Sequence, residues 1–333
     1  CMSRITIIGG GSWGTALAIL ACRQEHSVTI WSRDPLVVDG IERTRHNPKY
    51  LSAIKIPDRV AVSGDLRSAA KSAELIILAC PSQVIRGLLG AISADVDKKV
   101  IFVSAAKGIE SVSCSRISEV VGEILGRTDD APFACLSGPS FALEAALGHP
   151  TAVVVASSDM QIARRLQWEL STNSFRIYAN SDVIGTELAG AAKNVMAIAA
   201  GMVSGMGFGS NSVAALITRG LAEISRFGLA YGGQAETMMG LAGLGDLVLT
   251  CTGALSRNRF VGEELGKGKA LATVTAGMRE VAEGIETTIA VRNMAMRKGI
   301  EMPITNAVFD VLYSDVAPRI AIERLMTRPL RDE

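Results

Sequence analysis

The chain has 333 residues, enough for two domains that each bury a core of their own. Its net charge of +1 and the lack of any long lysine and arginine run argue against a main role in binding nucleic acid or membrane surfaces. Six scattered cysteines without a Cys-x-x-Cys pair, and three widely separated histidines, argue against structural zinc. We therefore predict no metal site, and we expect a cytoplasmic protein with reduced thiols.

The chain begins with the pattern of a strand, a glycine-rich turn, a helix and a second strand. The strands are predicted at Arg4–Gly9 and Ser27–Trp31, and the helix at Thr15–Glu25. The uncharged stretch Ile5–Cys22 is not predicted to insert into a membrane, because its four glycines and its change of pattern do not fit a spanning helix.

The glycine-rich turn matches the Gly-x-Gly-x-x-Gly fingerprint of dinucleotide-binding proteins. Gly9 permits the tight turn, Gly11 lets a pyrophosphate approach the backbone, and Gly14 lets helix and strand pack closely. The free N–H groups at the start of the helix can then hold the anion. Because the flanking strands and helix are in place, this pattern favours a cofactor site over an ordinary glycine-rich turn.

The end of the second strand indicates which dinucleotide is bound. A site specific for NAD usually has an acid there that takes both ribose hydroxyls, whereas this chain reads Ser32-Arg33-Asp34. The cation Arg33 suits a 2′-phosphate. Asp34 comes one position late and precedes Pro35, so it can simply cap the next turn. We therefore expect NADPH as the cofactor, with NADH as the other candidate.

Apolar runs and helical stretches continue to alternate up to residue 186, which predicts an α/β fold with an N-terminal Rossmann-like, doubly wound sheet. The further strands are predicted at Glu74–Cys80, Lys99–Ala105, Phe133–Ser137, Thr151–Ala156 and Phe175–Tyr178. Ligands of such sheets bind beyond the carboxyl ends of the strands. Lys107 follows one strand end there, and Gly138-Pro139-Ser140 follows another.

From Glu187 onward the pattern becomes mainly helical, so we predict a dinucleotide-binding domain over 1–186 and a helical substrate-binding and catalytic domain over 187–333. The helices are predicted at Glu187–Met202, Ser212–Phe227, Gly233–Met239, Gly277–Lys298 and Asn306–Tyr313. The first of them consists almost wholly of small and apolar residues, with Lys193 and Asn194 in its middle. A lysine in such a buried helix is costly to desolvate unless it has a partner or a task.

Two later segments carry polar residues whose role the residues alone leave open. Asp246, in GLAGLGDLVLTCT, suits either a helix N-cap or a carboxylate that faces Lys193. Ser256-Arg257-Asn258 suits either an exposed polar turn or a clamp for a phosphate, since a guanidinium offers a fork of donors that matches this anion.

Together, these motifs resemble those of the bacterial-type NAD(P)-dependent glycerol-3-phosphate dehydrogenase family, over nearly the whole chain. In chain order they are GGGSWGTALA, WSRDP, AAKG, SGPSFA, the Lys193 helix, GFGSN, LITRGLAE, GLAGLGDLVLTCT, SRNR, VAEG and EMPIT. The resemblance implies a cytoplasmic homodimer that reversibly reduces dihydroxyacetone phosphate to sn-glycerol 3-phosphate with NAD(P)H. The product would supply glycerophospholipid synthesis.

The resemblance also implies roles for individual residues, with Lys193 as proton donor and acceptor and with Lys107 and Asp246 as its catalytic neighbours. Cofactor contacts are implied for Gly9, Gly11, Ser12, Trp13, Gly14, Arg33, Tyr50, Lys107, Ala142, Arg257, Val281 and Glu283. Substrate contacts are implied for Lys107, Gly138, Ser140, Lys193, Asn194, Asp246, Ser256, Arg257 and Asn258. Two alternatives stay open: another β-hydroxyacid or 6-phosphogluconate-type dehydrogenase, and a non-catalytic NAD(P)H-binding regulator on the same scaffold.

Overall fold

The computed structural model describes residues 2–126, 132–278 and 280–329, and the chain divides into two compact units. The first unit comprises Cys1–Ala106 and Arg116–Thr186, and the second comprises Lys107–Ser115 and Glu187–Glu333. The sequence pattern assigned Lys107–Ser115 to the N-terminal domain. In the structure this segment groups with the helical unit, where the side-chain amide of Asn194 donates to the carbonyl oxygen of Lys107 at 2.8 Å.

The first unit contains one sheet of eight strands. The strands are β1 Arg4–Ile8, β2 Ser27–Trp31, β3 Ala61–Ser63, β4 Leu75–Leu78, β5 Ile101–Ser104, β6 Phe133–Ser137, β7 Thr151–Ala156 and β8 Phe175–Asn180. Their order across the sheet is β3-β2-β1-β4-β5-β6-β7-β8. All neighbouring pairs are parallel except β6 and β7. The predicted Rossmann-like sheet is therefore confirmed.

Helices separate the strands of the first unit. They are α1 Ser12–Arg23, α2 Pro35–Thr44, α3 Leu66–Lys71, α4 Ser82–Ile92, α5 Ile117–Leu125, α6 Ala142–Leu147 and α7 Met160–Leu170. The chain order reverses at β1, which lies between β2 and β4 in the sheet. This reversal makes a topological switch point, the place where open α/β sheets bind their ligands, and the glycine-rich turn follows β1 directly.

Two features of the sheet were not predicted from the sequence. The short strand β3 was missed, because its three residues are exposed or half-buried and form no continuous apolar run. The strand β7 runs antiparallel to β6. Between them, α6 has six residues and is about 9 Å long, too short to carry the chain back to the start of β6.

The second unit is helical, as predicted. Its elements are α8 Val183–Gly205, which begins in the first unit, then α9 Ser210–Ala230, α10 Ala235–Met239, a π-helical turn Leu241–Gly245, α11 Asp246–Thr252, α12 Arg257–Gly266, α13 Leu271–Ala276, α14 Gly284–Arg297, α15 Pro303–Tyr313 and α16 Pro318–Met326. The single helix predicted over Gly277–Lys298 is wrong at its start, because Gly277 ends α13 and α14 begins only at Gly284.

The long helix α8 is the one described helix that is long and apolar enough to cross a membrane, but 89% of its most apolar window is buried inside the protein. It packs against α12 through glycines spaced four residues apart on both helices, Gly201 and Gly205 against Gly262 and Gly266. A Cβ added at Gly262 would lie 1.9 Å from the carbonyl oxygen of Ile198. The two backbones are therefore in direct contact, which holds the start of α12 beside the middle of α8.

Candidate active site

Lys193 lies in the middle of α8 and is only 5% exposed. Its Nζ donates to Oδ1 of Asp246 at 2.8 Å and to Oγ1 of Thr250 at 2.6 Å. The Thr250 hydroxyl itself donates to the backbone carbonyl oxygen of Asp246 at 2.6 Å, so its oxygen can accept from the lysine. An ammonium has three N–H donors, and among the described residues two of those of Lys193 have acceptors. One donor is thus left for a ligand.

Asp246 is 1% exposed and places one carboxylate between two ammonium groups. Its Oδ1 contacts Lys193, and its Oδ2 accepts from Nζ of Lys107 at 2.8 Å. Asp246 is the first residue of α11 and not its cap, which is Gly245. Of the two roles that the sequence left open, the structure therefore shows the second, a carboxylate that faces Lys193.

The π-helical turn before α11 brings Asp246 to this position. The N–H of Gly245 donates to the carbonyl oxygen of Gly240 at 3.1 Å, five residues earlier. A side chain at Gly243 would put its Cβ 2.0 Å from the carbonyl oxygen of Met238. The glycines of GLAGLGDL therefore allow a tightly packed turn of unusual pitch, a feature that is frequent at functional sites.

Burial and charge act on this cluster in opposite directions. Burial lowers the pKa of Lys193 to about 8, although the neighbouring carboxylate of Asp246 works against this shift. Burial by itself would raise the pKa of Asp246, but the charges of Lys107 and Lys193 outweigh it and keep that pKa below its usual value. Close to neutral pH the cluster therefore contains an ionised acid and a lysine whose proton is easily lost.

Cys251 lies beside this cluster but is not reactive. Burial raises the pKa of its thiol to about 12, so the thiolate does not form at neutral pH. Among the described residues, no three His, Cys, Asp or Glu side chains lie close enough together to hold a metal ion.

A chain of side-chain amides surrounds Lys107. Asn194 donates to the carbonyl oxygen of Lys107 and accepts from Nδ2 of Asn258 at 2.9 Å. Oδ1 of Asn258 in turn accepts from the N–H of Gly284 at 2.9 Å. The backbone N–H of Lys107 also contacts Oε2 of Glu283, at 3.3 Å. These contacts fix the segment that carries Lys107 relative to α8, α12 and the start of α14.

The three residues of the predicted phosphate clamp lie in different surroundings. Ser256 is buried and caps α12 by accepting from the N–H of Arg259 at 3.2 Å. Asn258 is buried with both ends of its amide engaged. Arg257 keeps half of its side chain exposed, 3.1 Å from Glu280. Within this segment, Arg257 alone offers an accessible charge. Val281, 53% exposed, lies on the same unit.

In the first unit, the glycine-rich turn is closely packed at Gly9 and Gly14 and open at Gly11. Gly9 has φ +126°, and an added Cβ there would lie 2.5 Å from the carbonyl oxygen of Ala79. A Cβ at Gly14 would lie 1.9 Å from the carbonyl oxygen of Gly9, whereas the space beside Gly11 is open. The helix α1 begins at Ser12, and its N-cap residue Gly11 makes no side-chain cap hydrogen bond.

Three other predicted residues of the first unit pack against its core: Trp13, Tyr50 and Ala142. The indole Nε1 of Trp13 is buried and has no acceptor among the described residues. A polar group buried without a partner is rare, which fits a ligand beside the start of α1.

Arg33, at the end of β2, is exposed beside a shallow pocket of about 420 Å³. The pocket is lined by Ser32, Arg33, Pro35, Val38, Asp39, Glu42 and Gly64. Asp34 is indeed the N-cap of α2, since Oδ1 accepts from the N–H of Leu36 at 3.0 Å. At the end of β6, Gly138 has φ +130° and its carbonyl oxygen accepts from Oγ of Ser140 at 2.9 Å.

Sequence reasoning missed Thr250, which binds Lys193 directly. The available signal was its position four residues after Asp246 on a helix, which puts both side chains on one face. It also missed Asn47, which is fully buried and donates to the carbonyl oxygen of Gly10 at 2.9 Å. A single asparagine in the polar segment HNPKY carries no pattern that would have shown this.

Comparison with known proteins gives concordant results over the whole chain. The sequence model of the N-terminus of NAD-dependent glycerol-3-phosphate dehydrogenase matches residues 4–163, and that of its C-terminus matches residues 182–323. The glycerol-3-phosphate dehydrogenase [NAD(P)+] of Citrifermentans bemidjiense is 48% identical, over 99% of this chain and 98% of that protein. The enzyme of the same name from Koribacter versatilis is 49% identical, over 100% and 99%.

A solved structure agrees with these relatives. The crystal structure of glycerol-3-phosphate dehydrogenase from Coxiella burnetii superimposes with a TM-score of 0.94, at 38% identity, over 98% of this chain and 99% of that one. The findings favour the first interpretation of the sequence over both alternatives, the other dehydrogenase class and the non-catalytic regulator.

Proposed function

The chain belongs to the NAD-dependent glycerol-3-phosphate dehydrogenase family, and on that premise we propose that it reduces dihydroxyacetone phosphate to sn-glycerol 3-phosphate with Lys193 as the proton donor. The observation that carries this proposal is the buried cluster of Lys193, Asp246, Thr250 and Lys107. It holds a lysine of lowered pKa with one donor left for a ligand. A lysine with these properties can act as a general acid.

The nicotinamide, when bound, supplies the hydride that goes to the central carbon of the ketone. Negative charge then builds on the ketone oxygen, and the remaining N–H of Lys193 stabilises it by a charge-assisted hydrogen bond. The proton passes along this bond to the oxygen. Since the pKa of Lys193 is about 8, the lysine can both give up this proton and regain it near neutral pH. Oxidation of glycerol 3-phosphate starts from the neutral lysine.

The neighbours of Lys193 act by holding and orienting it. Asp246 favours the protonated form, and Thr250 fixes a second N–H so that the third has a defined direction. Lys107 shares the carboxylate and adds a second positive charge, which attracts a phosphorylated substrate.

We assign the substrate phosphate to Arg257, because its guanidinium is the accessible charge of the segment Ser256–Asn258. Ser256, Asn258 and Asn194 support it by fixing the start of α12, and Gly138 and Ser140 are further substrate contacts by family resemblance. The phosphate does not react, so the binding energy from its contacts with the protein can be used to orient the ketone.

The cofactor is assigned to the first unit, with its pyrophosphate at Gly9–Gly14 and its 2′-phosphate at Arg33. The open space beside Gly11 and the absence of a side-chain cap at the start of α1 support the first assignment. The exposed guanidinium beside its pocket supports the second, and with it a preference for NADPH over NADH. By the family resemblance, further cofactor contacts are proposed for Tyr50, Ala142, Lys107, Arg257, Val281 and Glu283.

By the same family resemblance, we take the enzyme to be a cytoplasmic homodimer whose product feeds glycerophospholipid synthesis. Light scattering of the purified protein tests the dimer. Steady-state assays with dihydroxyacetone phosphate, comparing NADPH with NADH, test the substrate and the cofactor preference together.

The role of Lys193 is tested by Lys193→Ala. We expect kcat to fall by about 10²–10⁴-fold, with the Kd for NADPH close to that of the wild type. Lys267→Ala is a matched control, because Lys267 pairs with Glu263 and Glu264 on the surface. Wild-type turnover of Lys193→Ala would remove this lysine from the mechanism.

A further inference from the structure

The carboxylate of Asp34 stands where it could oppose a 2′-phosphate. It directly follows Arg33 at the end of β2, the region in which NAD-specific enzymes place an acid to bind the ribose hydroxyls. An unpaired negative charge there would repel a phosphate and would favour NADH. The preference of this chain for NADPH therefore depends on which groups bind and neutralise the carboxylate of Asp34.

Both oxygens of Asp34 are engaged. Oδ1 accepts from the N–H of Leu36 as the cap of α2, and Oδ2 accepts from the ammonium of Lys49 at 2.5 Å. Lys49 also contributes most to keeping the pKa of Asp34 below its usual value, chiefly by this hydrogen bond. The carboxylate is thus ionised, and its charge is balanced by the lysine.

The backbone that carries Lys49 is fixed from within the fold. Oδ1 of Asn47 accepts from the N–H groups of Lys49 at 3.2 Å and of Tyr50 at 3.1 Å. Nδ2 of Asn47 donates to the carbonyl oxygen of Gly10 and to Oγ1 of Thr15, at 2.9 Å and 3.0 Å. Asn47 is fully buried. One amide therefore ties the segment of Lys49 to the glycine-rich turn.

We propose that Lys49 is a specificity-determining residue that favours NADPH by neutralising Asp34. Its ammonium compensates the carboxylate next to Arg33 and keeps that carboxylate from accepting the ribose hydroxyls of NADH. This inference rests on the proposed cofactor site at Arg33. The pair adds little to stability, because the side chains of Lys49 and Asp34 are 42% and 29% exposed. Its effect is on the charge that a bound 2′-phosphate meets.

The test is a double-mutant cycle with Lys49→Met, Asp34→Asn and the double variant, in which kcat/KM is measured for NADPH and for NADH. We expect Lys49→Met to lower the NADPH/NADH ratio by about 3–10-fold, the size of a partly screened charge interaction. In the Asp34→Asn background the same substitution should lower the ratio clearly less, because no carboxylate remains to be exposed and only the charge of Lys49 itself is lost. Using a ratio cancels any change in the folded fraction.

Lys55→Met is the matched control, since Lys55 lies in the same segment but pairs with Asp58 at 3.9 Å. It should leave the ratio unchanged. An equal fall of the ratio for Lys49→Met in both backgrounds would mean that Lys49 contacts the phosphate directly, and would overturn the inference. So would an unchanged ratio in Lys49→Met, or an equal fall in Lys55→Met. A wild type that prefers NADH would refute the proposed cofactor preference, while the shifts between variants would still decide the role of Lys49.

Discussion

Replacing Asp246 by asparagine removes the charge of the buried cluster while nearly keeping its shape. Asp246 lies 2.8 Å from each of two ammonium groups and is 1% exposed, so solvent screens these interactions little. An opposite charge at such a distance shifts a pKa by about 1–3 pH units, or about 1.4–4 kcal/mol. Without Asp246, burial and the like charge of Lys107 both act to lower the pKa of Lys193 further below about 8.

The consequence for catalysis is a displaced pH profile. At about pH 7.5, a lysine with its pKa near 8 is roughly three-quarters protonated, whereas one titrating two pH units lower is only about 3% protonated. Ketone reduction by Asp246→Asn should then be about 25-fold slower from protonation alone, and the difference should shrink toward acid pH. In the wild type, kcat for reduction should fall as the pH rises through about 8, and kcat for oxidation should rise.

The assay is the steady-state rate in both directions, at saturating substrate and cofactor, from about pH 6 to pH 9. If the midpoint in Asp246→Asn stays at that of the wild type and the rate is lost equally at every pH, the electrostatic role of Asp246 is wrong.

The pH dependence of stability gives a second readout. Because the pKa of Lys193 is lower in the folded protein than the 10.5 of an ordinary lysine, the unfolded chain binds more protons between about pH 8 and 10.5. The free energy of unfolding should therefore rise with pH across this range, and in the variant the rise should begin at lower pH.

Three further substitutions, one of them with a matched control, test other parts of the structure. Gly262→Ala should lower the free energy of unfolding by about 1–3 kcal/mol, because its Cβ would meet the backbone of α8 at 1.9 Å. Gly90→Ala in α4, with open space around it, should be neutral or stabilising in the same urea titration, and equal losses would contradict the close-packing argument. Arg257→Ala should raise KM for dihydroxyacetone phosphate but not for phosphate-free dihydroxyacetone, and an equal effect on both would rule out the phosphate contact. Glu223→Ala should lower the free energy of unfolding by about 1–3 kcal/mol, since its carboxylate accepts two N–H groups at the start of α15, while a fall in kcat of the folded enzyme would indicate another role.

Much of the fold follows from local pattern. The buried strands β4 and β5 are continuous apolar runs, and the turn after β1 carries its glycines at diagnostic positions, so both were predicted. The edge strand β3 was not predicted, because it has no apolar run. The direction of β7 was not predicted either, because it depends on the length of the connection through α6. The start of α14 is also set by tertiary contact, since Asn258 binds the N–H of Gly284.

The candidate site was likewise predicted only in part from the sequence. The desolvation cost of one lysine in an apolar helix was enough to single out Lys193. The role of Asp246 could not be decided, because a carboxylate after a glycine turn has the same local pattern whether it caps a helix or faces a charge 53 residues away. Thr250 and Lys49 were missed for a related reason, since each acts through a single partner that only the folded chain brings near.

The π-helical turn Leu241–Gly245 makes the pitch of this segment a determinant of its own. A π-helical turn contains about one residue more than an α-helical turn, so the same residues would wind further around the axis in an ordinary α-helix. Every side chain beyond the turn would then be rotated by about 100°, the step of one residue, about the helix axis. Asp246 and Thr250 would both still be encoded, yet neither would point at Lys193. A variant that keeps every site residue but relaxes this turn to ordinary α-helical pitch should therefore be inactive.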